Sequence, residues 1–199
     1  MADATTLPEF LLGNARTMGD QPAMRKMHLG IWKTYTWSEN ADQVRALSLG
    51  LAGLGFGRGD NLGIIGNNLP QLYWAQLAAQ CVGGVPVPVF QDAIAKELAF
   101  VLQHSEVKVI IAEDQEQVDK IMSIKDQLPN LQWLIYIDPR GMKDYEEEFL
   151  KSFADLQADG RAFDTANSGF FEAEVAKGDG KDVALMCYTS GTTGDPKGV

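Results

Sequence analysis

The chain has 199 residues, 45% of them hydrophobic and 22% charged, with 27 acidic side chains against 17 basic ones and a formal net charge of −10. That composition fits one globular domain, or one and a fraction, and excludes a disordered tail and a repeat fibre. No apolar run reaches the ~18 residues needed to cross a bilayer, and no basic stripe could follow a phosphate backbone, so transmembrane and nucleic-acid-binding classes are set aside.

Residues 113–182 hold 17 acidic and 8 basic side chains, whereas residues 1–112 are nearly balanced at 9 and 8. The acidic half reads as a solvated surface, and anionic lipid would repel it. The start, Met1-Ala2-Asp3-Ala4, carries no secretion signal. Two cysteines, Cys81 and Cys187, are too few for a disulfide framework and point to a reducing cytoplasm.

In chain order, Leu7 to Met18 reads as a short amphipathic helix. Ala23–His28 and Ile31–Trp37 read as a hairpin joined by Leu29-Gly30. Ser38 is the expected N-cap of a helix lined by Ala41, Val44, Leu47, Leu51 and Leu54 and stopped by Gly55 and Gly57. Leu62–Ile65 is a short buried strand. Asn68 is the expected cap of a helix with Pro70 in its first turn, running to Cys81. Val85–Phe90 is a strand whose two prolines place it at a sheet edge. Ala93–His104 is helical and Val107–Ala112 is a buried strand. Asp114 caps a helix with Val118, Ile121, Met122 and Leu128 facing inward, stopped by Pro129. Leu131–Ile137 is a strand. Tyr145, Phe149, Phe153 and Leu156 suggest one helical stripe with Glu146–Glu148 on its solvated face. Val183–Tyr188 is the last strand.

Strands alternating with helices imply an α/β fold with a largely parallel, doubly wound sheet flanked by helices. In such sheets ligands bind at the carboxyl ends of the strands. Tyr188 ends the last strand, and Thr189-Ser190-Gly191-Thr192-Thr193-Gly194-Asp195-Pro196-Lys197-Gly198 follows. Glycines let a backbone approach a ligand closely, successive N–H groups form an anion-binding concavity, and four hydroxyls and one lysine complete a polyphosphate clamp. It is not a P-loop, because no hydroxyl follows the lysine. The glycines at 53, 55, 57 and 59 follow a helix and do not form a dinucleotide fingerprint.

The string Tyr188–Val199 resembles the phosphate-binding loop of the AMP-forming adenylate enzymes: acyl-CoA synthetases, aryl-CoA ligases, luciferases and peptide-synthetase adenylation domains. Tyr35-Thr36-Trp37-Ser38-Glu39 and Ala79–Pro88 resemble two earlier core regions of that family, and the long-chain acyl-CoA synthetases are the most similar branch. The resemblance implies ATP, magnesium and CoA as cofactors and a carboxylic acid, in this branch a fatty acid, as substrate. Thr189, Ser190, Gly191, Thr192, Thr193, Gly194, Lys197 and Gly198 would hold the β- and γ-phosphates. The family's adenine pocket, ribose-binding aspartate, catalytic lysine and acyl pocket have no counterpart in these 199 residues. The expectation is therefore the N-terminal part of a longer ligase, inactive alone and cytoplasmic.

Within it, residues 1–58 would begin a neighbouring incomplete layer and residues 59–199 would form the βαβ subdomain ending in the loop. The first part would leave apolar faces open for self-association. An aryl-CoA ligase, a carrier-loading adenylation domain and a non-catalytic nucleotide-binding module are the alternatives.

Neither His28 nor His104 has metal-ligating neighbours in sequence, so no zinc site is expected. His104 reads as a helix C-terminal residue favoured by the dipole. The four tryptophans are too scattered for a base-stacking platform.

Overall fold

The computed structural model describes residues 4–189 and 196–199. Helix α1 (Leu7–Met18) begins at Thr6, whose hydroxyl and Glu9 form a reciprocal capping box. Strands β1 (Pro22–His28) and β2 (Ile31–Thr36) form the expected antiparallel hairpin. Its turn residues Leu29 and Gly30 have φ of 50° and 78°. Both are left-handed, as in a type I′ turn, which costs a leucine about 1 kcal/mol and a glycine little.

Helix α2 (Trp37–Gly53) is capped by Thr36 rather than by Ser38. The Thr36 hydroxyl accepts the Glu39 N–H at 3.2 Å, and Glu39 Oε2 accepts the Thr36 N–H at 2.8 Å. Helix α3 (Pro70–Cys81) starts after Leu69 with no side-chain cap, so Asn68 does not cap it. Pro70 in the first turn lacks the N–H that a cap would satisfy.

Strand β3 is Asn61–Ile65, β4 Val85–Val89 and β5 Val107–Ala112; helix α4 is Ala95–His104. Asp114 caps α5 (Gln115–Ser123), as expected. That helix stops short of Pro129, and Lys125–Gln127 tightens into a 3-10 turn. Strand β6 (Trp133–Tyr136) and strand β7 (Leu150–Ser152) complete a five-stranded sheet of order β4-β3-β5-β6-β7, parallel at every pairing. The proline-bearing strand β4 is at its edge.

The expected stripe from Tyr145 to Leu156 is not one helix. Ser152 accepts the Asp155 N–H at 3.0 Å and starts α6 (Phe153–Ala166) after β7. Tyr145 and Phe149 pack with the core on one face of the sheet, Phe153 and Leu156 with the core on the other. Glu146–Glu148 lie in the connection before β7.

Side-chain alternation along the strands divides the interior. Leu62, Ile64, Val109, Ile111 and Ile135 join the core that contains α1, α2, α3 and α6 residues, closed by Phe171 and Val175 of α7 (Phe170–Val175). Ile65, Val87, Ile110, Ala112 and Leu134 join the core under α4 and α5. Packing crosses residue 58 freely, since Leu11, Val44 and Leu47 share the first of these cores.

Helices α2 and α6 cross at two glycines. A Cβ on Gly160 would lie 1.8 Å from the Ala46 carbonyl oxygen, and one on Gly50 would lie 2.3 Å from the Leu156 carbonyl oxygen. Arg45 of α2 fastens this crossing. Its Nε and Nη2 donate to both Asp164 oxygens at 2.6 and 2.8 Å, Nη1 reaches Glu172, and the guanidinium lies 4.8 Å from the Phe171 ring centroid.

Candidate active site

A groove of about 620 Å³ opens at the carboxyl ends of β3 and β4. One wall is the turn Gly66-Asn67-Asn68 after β3, a second is Pro88–Asp92 at the end of β4, and a third is Cys187-Tyr188-Thr189. Its volume suits a small organic ligand. It adjoins the point where the chain leaves β3 toward α3 on one face and β5 toward α5 on the other, the usual ligand position in open α/β sheets.

Local chemistry holds the β3 turn. Gly66 has φ of 154°, and a Cβ there would lie 2.6 Å from Glu113 Cβ. Glu113 Oε2 accepts the Asn67 backbone N–H and, at 3.1 Å, its Nδ2–H. Asn67 Oδ1 accepts Gln91 Nε2 at 2.8 Å, and the Gln91 carbonyl accepts Lys120 Nζ at 2.7 Å. The ends of β3, β4 and β5 are thus tied into one polar rim.

The loop-bearing segment reaches the groove by a route the sequence did not suggest. Val183–Tyr188 is not a strand of the parallel sheet. Its end, Tyr188–Thr189 (β8), pairs instead with Lys197–Gly198 (β9), antiparallel, with Tyr188 opposite Gly198 and Thr189 opposite Lys197. Cys187 and Val199 exchange two further backbone bonds of 2.9 and 2.8 Å. This hairpin hangs on the outer edge of β4 by a bond from the Met186 N–H to the Pro86 carbonyl at 3.0 Å. Pro86, and by alternation Pro88, turn outward with no N–H to offer, so a full ladder cannot form there.

Three side chains tether the approach to the hairpin. Arg58 pairs with Asp182 at 3.0 Å, Gln80 Nε2 donates to the Ala184 carbonyl, and His104 Nδ1 lies 2.7 Å from the Tyr188 hydroxyl. His104 ends α4, as expected, but also edges the Tyr188 ring at 5.7 Å between centroids. Burial pushes the Tyr188 phenol above its ordinary pKa, so it stays neutral and able to donate. Burial pushes the Cys81 thiol up to about 12, which makes it a packing residue.

Of the expected site residues, Thr189 and Lys197 face one another across β8 and β9, and Gly198 lies under the Tyr188 ring with 3.3 Å between its virtual Cβ and Tyr188 Cζ. Ser190, Gly191, Thr192, Thr193 and Gly194 lie outside the described residues. Thr189 lines the groove directly. His104 and Glu113 were missed because both act on partners distant in sequence. The Gly66-Asn67-Asn68 turn was open to the rule that ligands sit at strand ends. Among the described residues no three acidic, cysteine or histidine side chains gather as a metal site, and no helix is long and apolar enough to cross a membrane.

The family of AMP-binding enzymes matches residues 12–199. The chain belongs to that family. The long-chain-fatty-acid–CoA ligase FadD15 of Mycobacterium bovis is 33% identical over 171 residues, which cover 85% of this chain and 26% of that protein. The long-chain-fatty-acid–CoA ligase ACSBG2 of Homo sapiens is 28% identical over 195 residues, 98% of this chain and 28% of that protein. Among solved structures, the anthranilate CoA ligase AuaEII bound to anthranoyl-AMP shares the fold with a TM-score of 0.79 at 21% identity, over 96% of this chain and 33% of that one. Acetoacetyl-CoA synthetase from Streptomyces lividans gives a TM-score of 0.75 at 25% identity, over 96% of this chain and 29% of that one. The chain thus spans 26% of the length of FadD15 and 28% of that of ACSBG2.

Proposed function

We propose that the chain is the N-terminal, pyrophosphate-clamping part of an ATP-dependent, AMP-forming long-chain fatty acid–CoA ligase. The observation that carries this reading is the Tyr188–Val199 string, whose ends Tyr188–Thr189 and Lys197–Gly198 pair beside the groove at the strand ends, in a chain of the AMP-binding enzyme family. In this reading a fatty acid carboxylate attacks the α-phosphorus of ATP. The bond to the bridging oxygen breaks, pyrophosphate leaves and an acyl-adenylate remains. The CoA thiol, losing its proton, then attacks the acyl carbonyl and displaces AMP.

The part played by this chain is electrostatic. Negative charge grows on the departing pyrophosphate, and donors fixed in advance stabilise it without reorganising. Lys197 supplies a full charge. Thr189, Ser190, Thr192 and Thr193 supply hydroxyls, and Gly191, Gly194 and Gly198 leave the backbone N–H groups open to the phosphates. The antiparallel pairing of Thr189 with Lys197 sets the two ends of the clamp side by side. A magnesium ion accompanying ATP would take most of its oxygen ligands from phosphate and water, which fits a groove whose described lining offers the Tyr188 and Thr189 hydroxyls and the Asn67, Asn68 and Gln91 amides. The reading places the protein in the cytoplasm.

Two measurements test this. The chain binds inorganic pyrophosphate or ATP weakly, and Lys197→Ala weakens that binding at least about tenfold, the loss of one charge-assisted contact. Unchanged binding in Lys197→Ala overturns the clamp. Purified alone, the chain releases no AMP from ATP, CoA and a fatty acid; AMP release would overturn the assignment as one part of a larger catalyst.

A further inference from the structure

The pairing of β8 with β9 sets Thr189 beside Lys197, but the pair must itself be placed against the sheet. Tyr188 does much of this. Its side chain packs on the core beneath α4, together with Met186. The same ring lies against Gly198, the residue after Lys197: a Cβ there would sit 3.3 Å from Tyr188 Cζ and 3.4 Å from its hydroxyl oxygen. Thr189 is the next residue along the chain. A group that fixes the Tyr188 ring therefore fixes both described ends of the clamp.

His104 is such a group. Its Nδ1 lies 2.7 Å from the Tyr188 hydroxyl, a full hydrogen bond. The imidazole meets the Tyr188 ring edge-on, at 88° between planes. One turn earlier on α4, Phe100 stacks on the imidazole at 5.8 Å between centroids and 18° between planes, and packs on the core beneath that helix. Three rings thus run from that core to β8. Arg58 and Gln80 act further upstream, on Asp182 and Ala184. His104 does not line the groove, whereas Tyr188 and Thr189 do. Its route to the groove is through Tyr188. Both partners belong to this chain, so the contact does not depend on what covers the chain's surface.

We infer that His104 is a positioning residue for the phosphate clamp, holding the Tyr188 hydroxyl so that Thr189 and Lys197 are set at the groove before phosphate arrives. The inference rests on the proposed clamp and names a residue that orients it. A site oriented in advance gives up less conformational freedom on binding. Loss of the bond should therefore show as weaker anion binding, with the fold retained.

The test is calorimetric titration of the chain with inorganic pyrophosphate. His104→Ala should weaken binding about fivefold, the net worth of one hydrogen bond, with urea unfolding little changed. His104→Asn should restore most of the affinity, because its Oδ1 falls where Nδ1 was and accepts the same O–H. Tyr188→Phe should match the loss in His104→Ala. The double variant His104→Ala/Tyr188→Phe should lose no more than either single one, because one interaction is removed in all three. A merely structural role would lower stability and would give neither the rescue nor the coupling. Full affinity in His104→Ala, with the loss in Lys197→Ala intact, overturns this inference and leaves the clamp standing. Full affinity in both variants, or no binding by the wild-type chain, overturns the clamp and this inference with it. Additive losses, or no rescue by asparagine, also overturn it, since His104 would then not act through Tyr188. If His104→Ala does not fold, Tyr188→Phe decides: full affinity there leaves the hydroxyl idle and the inference overturned.

Discussion

The α2–α6 crossing and the β8–β9 hairpin are held in opposite ways. At the crossing, backbone meets backbone with no room for a methyl group, and Arg45 locks the rim through two carboxylates and an aromatic face. Among the described residues, the β8–β9 pair rests on the edge of β4 through one backbone bond and a few side-chain tethers. The crossing is held by close backbone packing, whereas the described ends of the candidate clamp are held by edge bonding and side-chain tethers. Proteins commonly draw ligand-binding loops from their low-stability regions.

The sharpest test of that contrast is Gly160→Ala. The new methyl group meets the Ala46 carbonyl and the Gly50 nitrogen, and neither can swing aside. A loss of about 3 kcal/mol in urea unfolding is expected, against less than about 1 kcal/mol for Gly198→Ala, whose methyl group would lie 3.3 Å from the Tyr188 ring. Equal effects would erase the distinction.

Arg45→Met should cost about 1–2 kcal/mol near neutral pH, the loss of a partly exposed bidentate pair. Hydrogen bonds from Arg45 hold the Asp164 and Glu172 carboxyls below the ordinary range. Their contribution is therefore present above roughly pH 4, the ordinary carboxylate value, and is lost as pH falls through the lowered folded values. The wild-type chain should lose stability more steeply than Arg45→Met below that pH.

Tyr188→Phe removes the hydroxyl paired with His104. Global stability should change by less than about 1 kcal/mol, while hydrogen exchange at Cys187 and Val199 accelerates. Exchange slowed only by global unfolding would show the hairpin to be as firmly held as the crossing. The smallest effect is chemical: in the native state a disulfide reagent should titrate one thiol, half-buried Cys187, and reach buried Cys81 only in denaturant.

The same contrast separates what could be read from the sequence from what could not. Strand β5 is a continuous run from Val107 to Ala112, and Asp114 stands alone as a cap, so burial and local bonding agreed. Thr36 and Ser38 were both fit to cap α2, and the decision lay in the spacing from Thr36 to Glu39, which makes the reciprocal box. The stripe from Tyr145 to Leu156 had helical spacing, but the Ser152–Asp155 cap breaks it and sends its halves to opposite faces. Val183–Tyr188 has the composition of a strand, yet the sheet edge beside it is deprived of outward N–H groups by proline, and its last residues pair with Lys197–Val199 instead. In the candidate site the residue types of the loop suggested a phosphate clamp and the resemblance assigned the roles, but Ser190–Gly194 lie outside the described residues. The partners Glu113 and His104 were not legible, because no local rule links residues so far apart along the chain.

The tethers of the loop-bearing hairpin span long stretches of sequence: 124 positions from Arg58 to Asp182, 104 from Gln80 to Ala184 and 84 from His104 to Tyr188. Every pairing of the five-stranded sheet closes within residues 61–152, and α6 and α7 follow by Val175. On a ribosome, where domains order from the N-terminus as they emerge, the sheet and its helices can form before Tyr188 leaves the exit tunnel. Two walls of the candidate active site are therefore in place before its third, Cys187-Tyr188-Thr189, docks against them.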